Sequence, residues 1–440
     1  MNYKGVQVLQ HFINQLPFRE VKPGLERIQH LLDRVGNPQK KLRAVHVGGT
    51  NGKGSVVQLI AAVLQEAGFK VGVYTSPHLI DLRERIRINT ELISESELMG
   101  LTEELRPIAE AMLDKPTQFE FLTALALLYF ARKAVDLAVI EVGLGGRFDA
   151  TNLIQPLVSA ITNVEWDHMD LLGNSLEKIA WEKAGIIKEK TPIVTAEAKT
   201  ESLKVIEAEC AQKGADLFMA DLKRVNEKDF NWDWQEFEIA KYGPVKLRLL
   251  GSFQRANLAM ALKALELLNA QHALGISKSV LIKGLEKAYW PGRFEVIRKA
   301  PYIVLDGAHN SHAMMALKQD IERYAEKYLQ NSKRWLLFGC MRDKEVEKLC
   351  EIIFPVFDEI ILTKPEYYRA CELDRLKAIA TQLNVKTRCA VAVKEGFQYA
   401  LERMGSHDLL CATGSLYLVG ELLTVSTFSR SHVTGRHVRP

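Results

Sequence analysis

The segment RAVHVGGTNGKGSVVQLIAAVLQEAG, residues 43–68, restricts the fold more than any other stretch of the chain. RAVHVGG is short, rich in β-branched residues and ends in glycines, the pattern of a buried strand that runs into a tight turn. Val56, Leu59, Ile60, Val63 and Leu64 then recur at i, i+3, i+4, i+7 and i+8, which is a helical period. Gly68 ends that helix, and KVGVYTS (70–76) reads as the next strand. Strand, glycine loop, helix and strand make a βαβ unit, which joins parallel strands and so needs helices over the sheet. The apolar runs DLAVIEVG (136–143), LVSAITNV (157–164) and PIVTA (192–196) alternate with helical stretches at 118–133 and 175–187. The first half is therefore expected to be a P-loop-containing α/β domain with a parallel sheet covered on both faces.

At 440 residues the chain has room for two or three domains at about 150 residues each. Between 216 and 251 the alternation in WDWQEFEIAKYGPVKLRLLG predicts a hairpin turning at Tyr-Gly-Pro, a small antiparallel appendage to the first domain. Helices are expected near 255–271 and 277–288, and WPGR (290–293) then breaks the helical pattern. YIVLDGAHN, RWLLFGC, EIILTK and LLCATGS follow as short strands between helices, which predicts a smaller C-terminal Rossmann-like α/β domain. The expected division is 1–291, 292–425 and a flexible tail at 426–440.

Composition narrows the function classes. With 47% hydrophobic and 25% charged residues the chain has the make-up of a folded protein. The formal charge of +4 owes most to Arg430, Arg436 and Arg439 in the acid-free stretch 424–440, so the body carries no basic footprint for nucleic acid. Cysteines 210, 340, 350, 371, 389 and 411 form no C-x-x-C pair and no disulfide framework. The N-terminal stretch MNYKGVQVLQHFINQL lacks a signal-peptide core, and 18 apolar residues never run together. A cytoplasmic monomer with no membrane or nucleic-acid partner is expected.

Gly49, Thr50, Asn51, Gly52, Lys53, Gly54 and Ser55 form the loop between the first strand and its helix. Backbone N–H groups, the helix N-terminus and a lysine there suit a polyphosphate, and the serine hydroxyl suits Mg2+. Gly54 separates Lys53 from Ser55, where the usual pattern has Ser or Thr directly after Lys. Glu141 ends an apolar strand, where it is either a solvated carboxylate or an Mg2+ ligand beside that loop, and Gly143, Gly145 and Gly146 after it allow a close approach to a ligand. His168, between Asp167 and Asp170 and just past another strand, is a metal ligand, a base or a surface histidine. Lys183 reads by itself as a solvated lysine on a helix. Asn257, Arg293, Asp306, His309 and Asn310 are polar residues in apolar surroundings near the expected domain break, and they either shape turns or face a ligand.

Taken in order, GTNGKGS, TSPHL (75–79), EVGLGGRFDATN, TNVEWDHMDLLG, EKAGI, GRFE and LDGAHN resemble the folylpolyglutamate synthase and dihydrofolate synthase family of the Mur ligase superfamily, from about residue 20 to 422. The resemblance implies an ATPase domain and a Rossmann-like domain that close on one active site. It also implies an ATP-dependent amide ligase, with ATP as co-substrate and two Mg2+ ions. The γ-phosphate would pass to a substrate carboxylate, and the amine of L-glutamate would attack the acyl phosphate. By matching motif, Gly49 to Ser55, Asn257, Arg293, Asp306 and His309 would bind ATP, with Lys53 and His168 in the catalytic machinery. Ser55, Ser76, Glu141 and His168 would hold metal, and Lys183 would be the lysine that CO2 converts to a carbamate. Thr117, Gln118, Phe119, Glu120, Phe148, Asp149 and Ala150 would line the folate side, with the Asp149 carboxylate accepting from pterin N–H groups. Members that keep the Asp of RxDATN resemble bifunctional enzymes, which use dihydropteroate and tetrahydrofolate.

Two other readings compete. A muramoyl-peptide ligase would carry an extra N-terminal domain of roughly 80–100 residues, for which a P-loop strand at 43 leaves no room. A P-loop switch without ligase activity leaves EVGLGGRFDATN and the C-terminal half unexplained.

Overall fold

The computed structural model describes residues 12–13, 16–17 and 23–425, so the N-terminal stretch 1–11 and the tail expected at 426–440 lie outside the described residues. By packing, the chain divides into two units. The first takes the described parts of Met1–His78 with Leu82–Val225 and Ala256–Lys287; the second takes Leu79–Asp81, Asn226–Arg255 and the described part of Ala288–Pro440.

The first unit is built on strands β1 (Ala44–Gly48), β2 (Val71–Tyr74), β3 (Ile86–Ile88), β4 (Glu91–Leu92), β5 (Leu137–Glu141), β6 (Pro156–Ile161), β7 (Ile193–Thr195) and β8 (Leu217–Met219). They form one sheet in the order β4-β3-β2-β5-β1-β6-β7-β8. β3 and β4 add an antiparallel edge that the apolar runs did not reveal, and the other strands run parallel. The chain leaves β1 toward β2 and β5 on one side and reaches β6, β7 and β8 on the other. That makes β1 the switch strand, outside whose C-terminal end open parallel sheets bind ligands. Val47 in β1 lies opposite Glu141 in β5 and Ala160 in β6, so the loops after these strands emerge together.

The helix Lys53–Glu66 that follows β1 is buried on nearly every side. One side meets β1, β2 and β5, and the helix Lys278–Lys287 covers another. This explains why its sequence is more apolar than one half-exposed stripe requires. Two further helices, Glu26–Arg34 and Glu95–Ala111, add to the expected elements, and each buries a stripe at helical spacing, Ile28, Leu31 and Leu32 in the first and Leu98, Leu101 and Leu105 in the second. Local devices add to that packing: Ser94 and Glu97 form a reciprocal cap on the second, and buried Arg27 of the first pairs with Glu120 at 3.0 Å.

The second unit holds a three-stranded sheet of β9 (Val225–Phe230), β10 (Gln235–Ile239) and β11 (Gly243–Leu247). A six-stranded sheet follows, of β12 (Glu295–Lys299), β13 (Tyr302–Leu305), β14 (Arg334–Phe338), β15 (Glu359–Thr363), β16 (Thr387–Ala390) and β17 (Leu409–Thr413), ordered β12-β13-β17-β14-β15-β16. All its pairs are parallel except β12 with β13. The packing differs from the single cut expected at 291/292. The hairpin is present, but it packs with the second unit and not with the P-loop sheet. Aromatic packing is the reason: Trp232 stacks on Tyr302 with ring centroids 4.5 Å apart, and Phe230 lies 4.8 Å from Tyr324.

Asp320, on the helix Ser311–Tyr328, ties the end of that hairpin segment down, because both its oxygens accept from the Ser252 N–H at 2.9 Å. Burial pushes its carboxyl up to about 6 from 3.8, against the opposing pull of the Ser252 amide and Arg323. A raised folded-state value means that the group's stabilising contribution is complete below about pH 4 and is lost as pH rises through about 6. Asp320→Asn keeps an oxygen for Ser252 and never ionises. Its stability relative to the parent should therefore rise between pH 4 and pH 7, by on the order of 2–3 kcal/mol. Thermal denaturation at both pH values checks this, and a constant difference would refute it.

Candidate active site

Thr162 and Asn163, at the end of β6, hold the loop Gly49–Ser55 in shape. The Asn163 carbonyl accepts from the Thr50 N–H at 2.9 Å, and its side-chain oxygen accepts from the Asn51 N–H at 2.9 Å. The Thr162 hydroxyl donates to the Asn51 carbonyl at 2.6 Å, while the Thr50 hydroxyl accepts from the Glu165 N–H at 3.0 Å. Gly49 has φ +129, and a Cβ there would stand 1.9 Å from the Thr162 hydroxyl oxygen. Gly52 has φ +85, and a Cβ there would stand 2.3 Å from Asn257 Oδ1. Both positions therefore need glycine for space and for backbone angle. Asn257, buried on the helix Gln254–His272, packs directly on the loop as the polar-in-apolar reading allowed. Residue spacing does not single out Thr162 and Asn163; their place directly after a strand of the parallel sheet is the signal that points to them.

Lys53 is the first residue of the helix, and its ammonium donates to the Gly49 and Thr50 carbonyls at 3.0 Å each. Gly54 moves the hydroxyl on by one helical position, so buried Ser55 is the third residue of the first turn. On the next strand outward, the buried Glu141 carboxylate accepts from the Ser76 N–H at 3.1 Å. A carboxylate and serine hydroxyls at the ends of neighbouring strands are hard oxygen donors of the kind Mg2+ takes together with phosphates. Among the described residues no three His, Cys, Asp or Glu side chains converge into a closed cage. His168 has a left-handed backbone, φ 50, ahead of the short helix Met169–Leu172, and its N–H donates to its neighbour Asp167 at 2.9 Å.

Lys183 departs most from the bland reading. It is buried at 3% exposure on the helix Leu176–Ala184, and its ammonium makes no hydrogen bond or ion pair among the described residues. Burial, with the like charge of Lys53, pulls it down to about 7, although Asp167, Glu182 and Asp149 pull the other way. The field of Lys53 acting on it associates this helix with the P-loop. A neutral amine in such a place is a nucleophile, which a solvated lysine at neutral pH is not.

The loop GLGGRFDATN after β5 folds back on the same helix, the Arg147 N–H donating to the Glu182 carbonyl at 2.7 Å. Arg147 also lies 4.0 Å over the Trp181 ring. Asp149 is buried, and its oxygens accept from the Leu144 N–H at 2.9 Å, the Thr151 N–H at 3.0 Å, the Thr151 hydroxyl and the Gly143 N–H. Burial still raises its carboxyl above the usual range. Ala150 is buried beside it, whereas Phe148 is 44% exposed and faces Trp181 at 6.5 Å. Thr117 and Glu120 cap each other at the start of the helix Gln118–Arg132, where Glu120 also meets Arg27. Gln118 donates to the Ile13 carbonyl at 3.4 Å, and Phe119 lies 6.1 Å from Tyr74.

In the second unit Asp306 directly follows β13. Its oxygens accept from the Phe294 N–H at 2.7 Å and the Ala308 N–H at 2.8 Å, so it fastens GRFE to the turn DGAHN. Burial raises its carboxyl, while neighbouring Arg293 lowers it. Arg293 donates to the Gly292 carbonyl at 3.1 Å, His309 Nδ1 lies 2.8 Å from the Gly307 carbonyl, and Asn310 caps the helix Ser311–Tyr328. The turn-shaping reading of this cluster thus has a direct structural counterpart.

Comparison with known proteins agrees with this architecture. Residues 47–265 match the Mur ligase middle domain, and residues 292–416 match the Mur ligase glutamate ligase domain. The dihydrofolate synthase/folylpolyglutamate synthase of Bacillus subtilis is 38% identical over 417 residues, covering 91% of this chain and 94% of that protein. Folylpolyglutamate synthase from Thermotoga maritima superposes with a TM-score of 0.83 at 34% identity, over 99% of this chain and 100% of its own. E. coli FolC in complex with DHPP and ADP gives a TM-score of 0.84 at 27% identity, over 97% and 98% of the two chains. With the switch-strand P-loop, the strand-end carboxylate and the buried lysine in place, the chain belongs to the dihydrofolate synthase/folylpolyglutamate synthase family of Mur ligases.

Proposed function

We propose that this ATP-dependent ligase joins L-glutamate to two acids: dihydropteroate, giving dihydrofolate, and tetrahydrofolate, giving folylpolyglutamate. The P-loop on the switch strand, with Glu141 on the neighbouring strand, carries the ligase part of this reading. The double substrate range draws support from the RFDATN loop and from relatives named for both activities. A solved relative holds DHPP and ADP.

The substrate carboxylate oxygen attacks the γ-phosphorus of ATP and ADP leaves. The glutamate amine nitrogen then attacks the acyl carbon, phosphate leaves, and the amine gives up a proton to solvent. Backbone N–H groups of Gly52 to Ser55 and the helix N-terminus meet the phosphates. Lys53 exchanges the Gly49 and Thr50 carbonyls for phosphate oxygen, which offsets charge as the phosphoryl group transfers. Ser55, Ser76, Glu141 and His168 would hold Mg2+, which when bound neutralises charge on the phosphates and the acid. Asn257 beside the loop, and Arg293, Asp306 and His309 in the second unit, complete the proposed ATP contacts. Phe148, Asp149, Ala150 and the segment 117–120 form the proposed folate side.

The decisive assay is ADP release by the purified chain with Mg2+-ATP and L-glutamate, with dihydropteroate in one reaction and tetrahydrofolate in another, each product weighed by mass spectrometry. Turnover of both acids, each gaining one glutamyl residue, is expected. Tetrahydrofolate alone would leave only the extending activity, and neither would favour the nucleotide switch. Lys53→Ala should fold normally and lose nearly all turnover, by about a thousandfold or more if the lysine stabilises the transferring phosphate; an active variant would sink that role.

Asp149→Ala separates two accounts of the RFDATN loop. A pterin contact predicts a larger loss with dihydropteroate than with tetrahydrofolate. Equal losses in initial-rate assays would leave Asp149 as a tie within its own loop.

Lys183 gives a third test. Its neutral amine adds to CO2 with formation of an N–C bond and release of a proton, and the carbamate supplies an anion beside Lys53. Because the amine is neutral above about pH 7, CO2-depleted buffer should depress turnover, with bicarbonate restoring it. More bicarbonate should be needed as pH falls below that value. Indifference to CO2 at every pH would withdraw the carbamate.

A further inference from the structure

His46 lies in the middle of β1, fully buried, two residues before the glycines that open the P-loop. A histidine in the central strand of a sheet core is costly unless its ring is neutral and at least partly hydrogen-bonded. Burial, with Lys188 nearby, keeps it neutral, its pKa pulled down to about 3. Among the described residues the ring has one polar contact: Nε2 stands 2.8 Å from the Thr151 hydroxyl oxygen, and Nδ1 has no hydrogen-bond partner.

Proton counting sets the direction of that contact. A threonine hydroxyl carries one proton. Thr151 donates it to Asp149 Oδ1, an oxygen that also accepts from the Thr151 N–H. The hydroxyl can then only accept from His46, so the imidazole carries its proton on Nε2 and leaves Nδ1 as the bare nitrogen. The result is a one-way chain from His46 Nε2–H through the Thr151 hydroxyl to the Asp149 carboxylate, in which each bond polarises the next. It reaches from the P-loop strand to the loop that carries the proposed pterin contacts.

We propose that His46 is a positioning residue for the acid substrate, which through Thr151 fixes the carboxylate of Asp149 and thereby sets the affinity for dihydropteroate. The proposal rests on the assignment of the RFDATN loop to the pterin side. It names a core residue with no substrate contact as a determinant of which acid the enzyme holds.

Initial-rate kinetics with three variants test it. His46→Leu removes the N–H, His46→Gln keeps an N–H where Nε2 stands, and Thr151→Val removes the hydroxyl at nearly constant volume. His46→Leu should raise KM for dihydropteroate by about fivefold, the scale of one buried hydrogen bond, with kcat and KM for ATP within about twofold of the parent. His46→Gln should recover most of that loss. In the Thr151→Val background His46→Leu should add nothing more, since the chain is already cut. Equal rises in KM for ATP and dihydropteroate, or effects of His46→Leu and Thr151→Val that multiply, would overturn the proposal in favour of general core damage. If His46→Leu does not fold, the Thr151→Val and His46→Gln kinetics decide alone, with dihydropteroate KM raised in the first and near the parent in the second. Asp149→Ala keeps the two levels apart. Without a selective dihydropteroate loss there, the pterin assignment fails. With one, and with His46 variants that leave KM unchanged, only the relay fails.

Discussion

The grip of β6 on the P-loop is the constraint on which the rest of the site depends. A loop that offers its N–H groups to a phosphate must leave them pointing outward, and a free glycine-rich segment has too much conformational entropy to do so by itself. Thr162 and Asn163 reduce that freedom from outside by taking the Thr50 and Asn51 N–H groups and the Asn51 carbonyl. Asn257 presses on Gly52 from another helix. Because β1 and β6 are paired in register, the anchor and the loop it holds are positioned by the same ladder of sheet hydrogen bonds.

Around that loop the protein sets polar groups in places where burial changes their chemistry. Lys183 loses hydration and sits in the field of Lys53, which leaves it a nucleophilic amine. His46 loses hydration and becomes a fixed neutral donor. Asp149 is also buried, yet its oxygens are surrounded by N–H and O–H donors, so desolvation raises its carboxyl while hydrogen bonding opposes the rise. These groups bear on the loops after β1 and β5 and on the helix Leu176–Ala184, the parts of the first unit where the phosphate, metal and carbamate readings come together.

Much of the fold was legible in the residue order. The parallel strands β1, β2, β5, β6 and β7 of the first sheet, the P-loop helix and the later strands β13, β14, β15 and β17 appear as apolar runs between helical periods, whereas the parallel edge strand β8 falls in the stretch read as the antiparallel appendage. Short edge strands such as β3 and β4 do not appear so, because two or three residues are too few for a period to show, and the short helix Glu26–Arg34 offers only Ile28, Leu31 and Leu32 as its apolar face. The hairpin was visible as alternation around Tyr-Gly-Pro, but its partner was not: the stacking of Trp232 on Tyr302 joins residues seventy positions apart in the chain.

For the site, the residue order alone shows which chemistries are on offer. Glycines, a lysine and a hydroxyl between strand and helix suit a phosphate, and a carboxylate at a strand end suits a hard cation, because local backbone geometry follows from local residue types. Which residues share an environment follows from the folded chain and not from their order. Lys183 and His46 look like an ordinary helix lysine and strand histidine until their burial is known, since a pKa depends on the solvent and charges around a group. Asp149 shows the same division from the other side: its expected pterin role came from the family resemblance of its motif, while the donors around its oxygens come from the fold of its own loop.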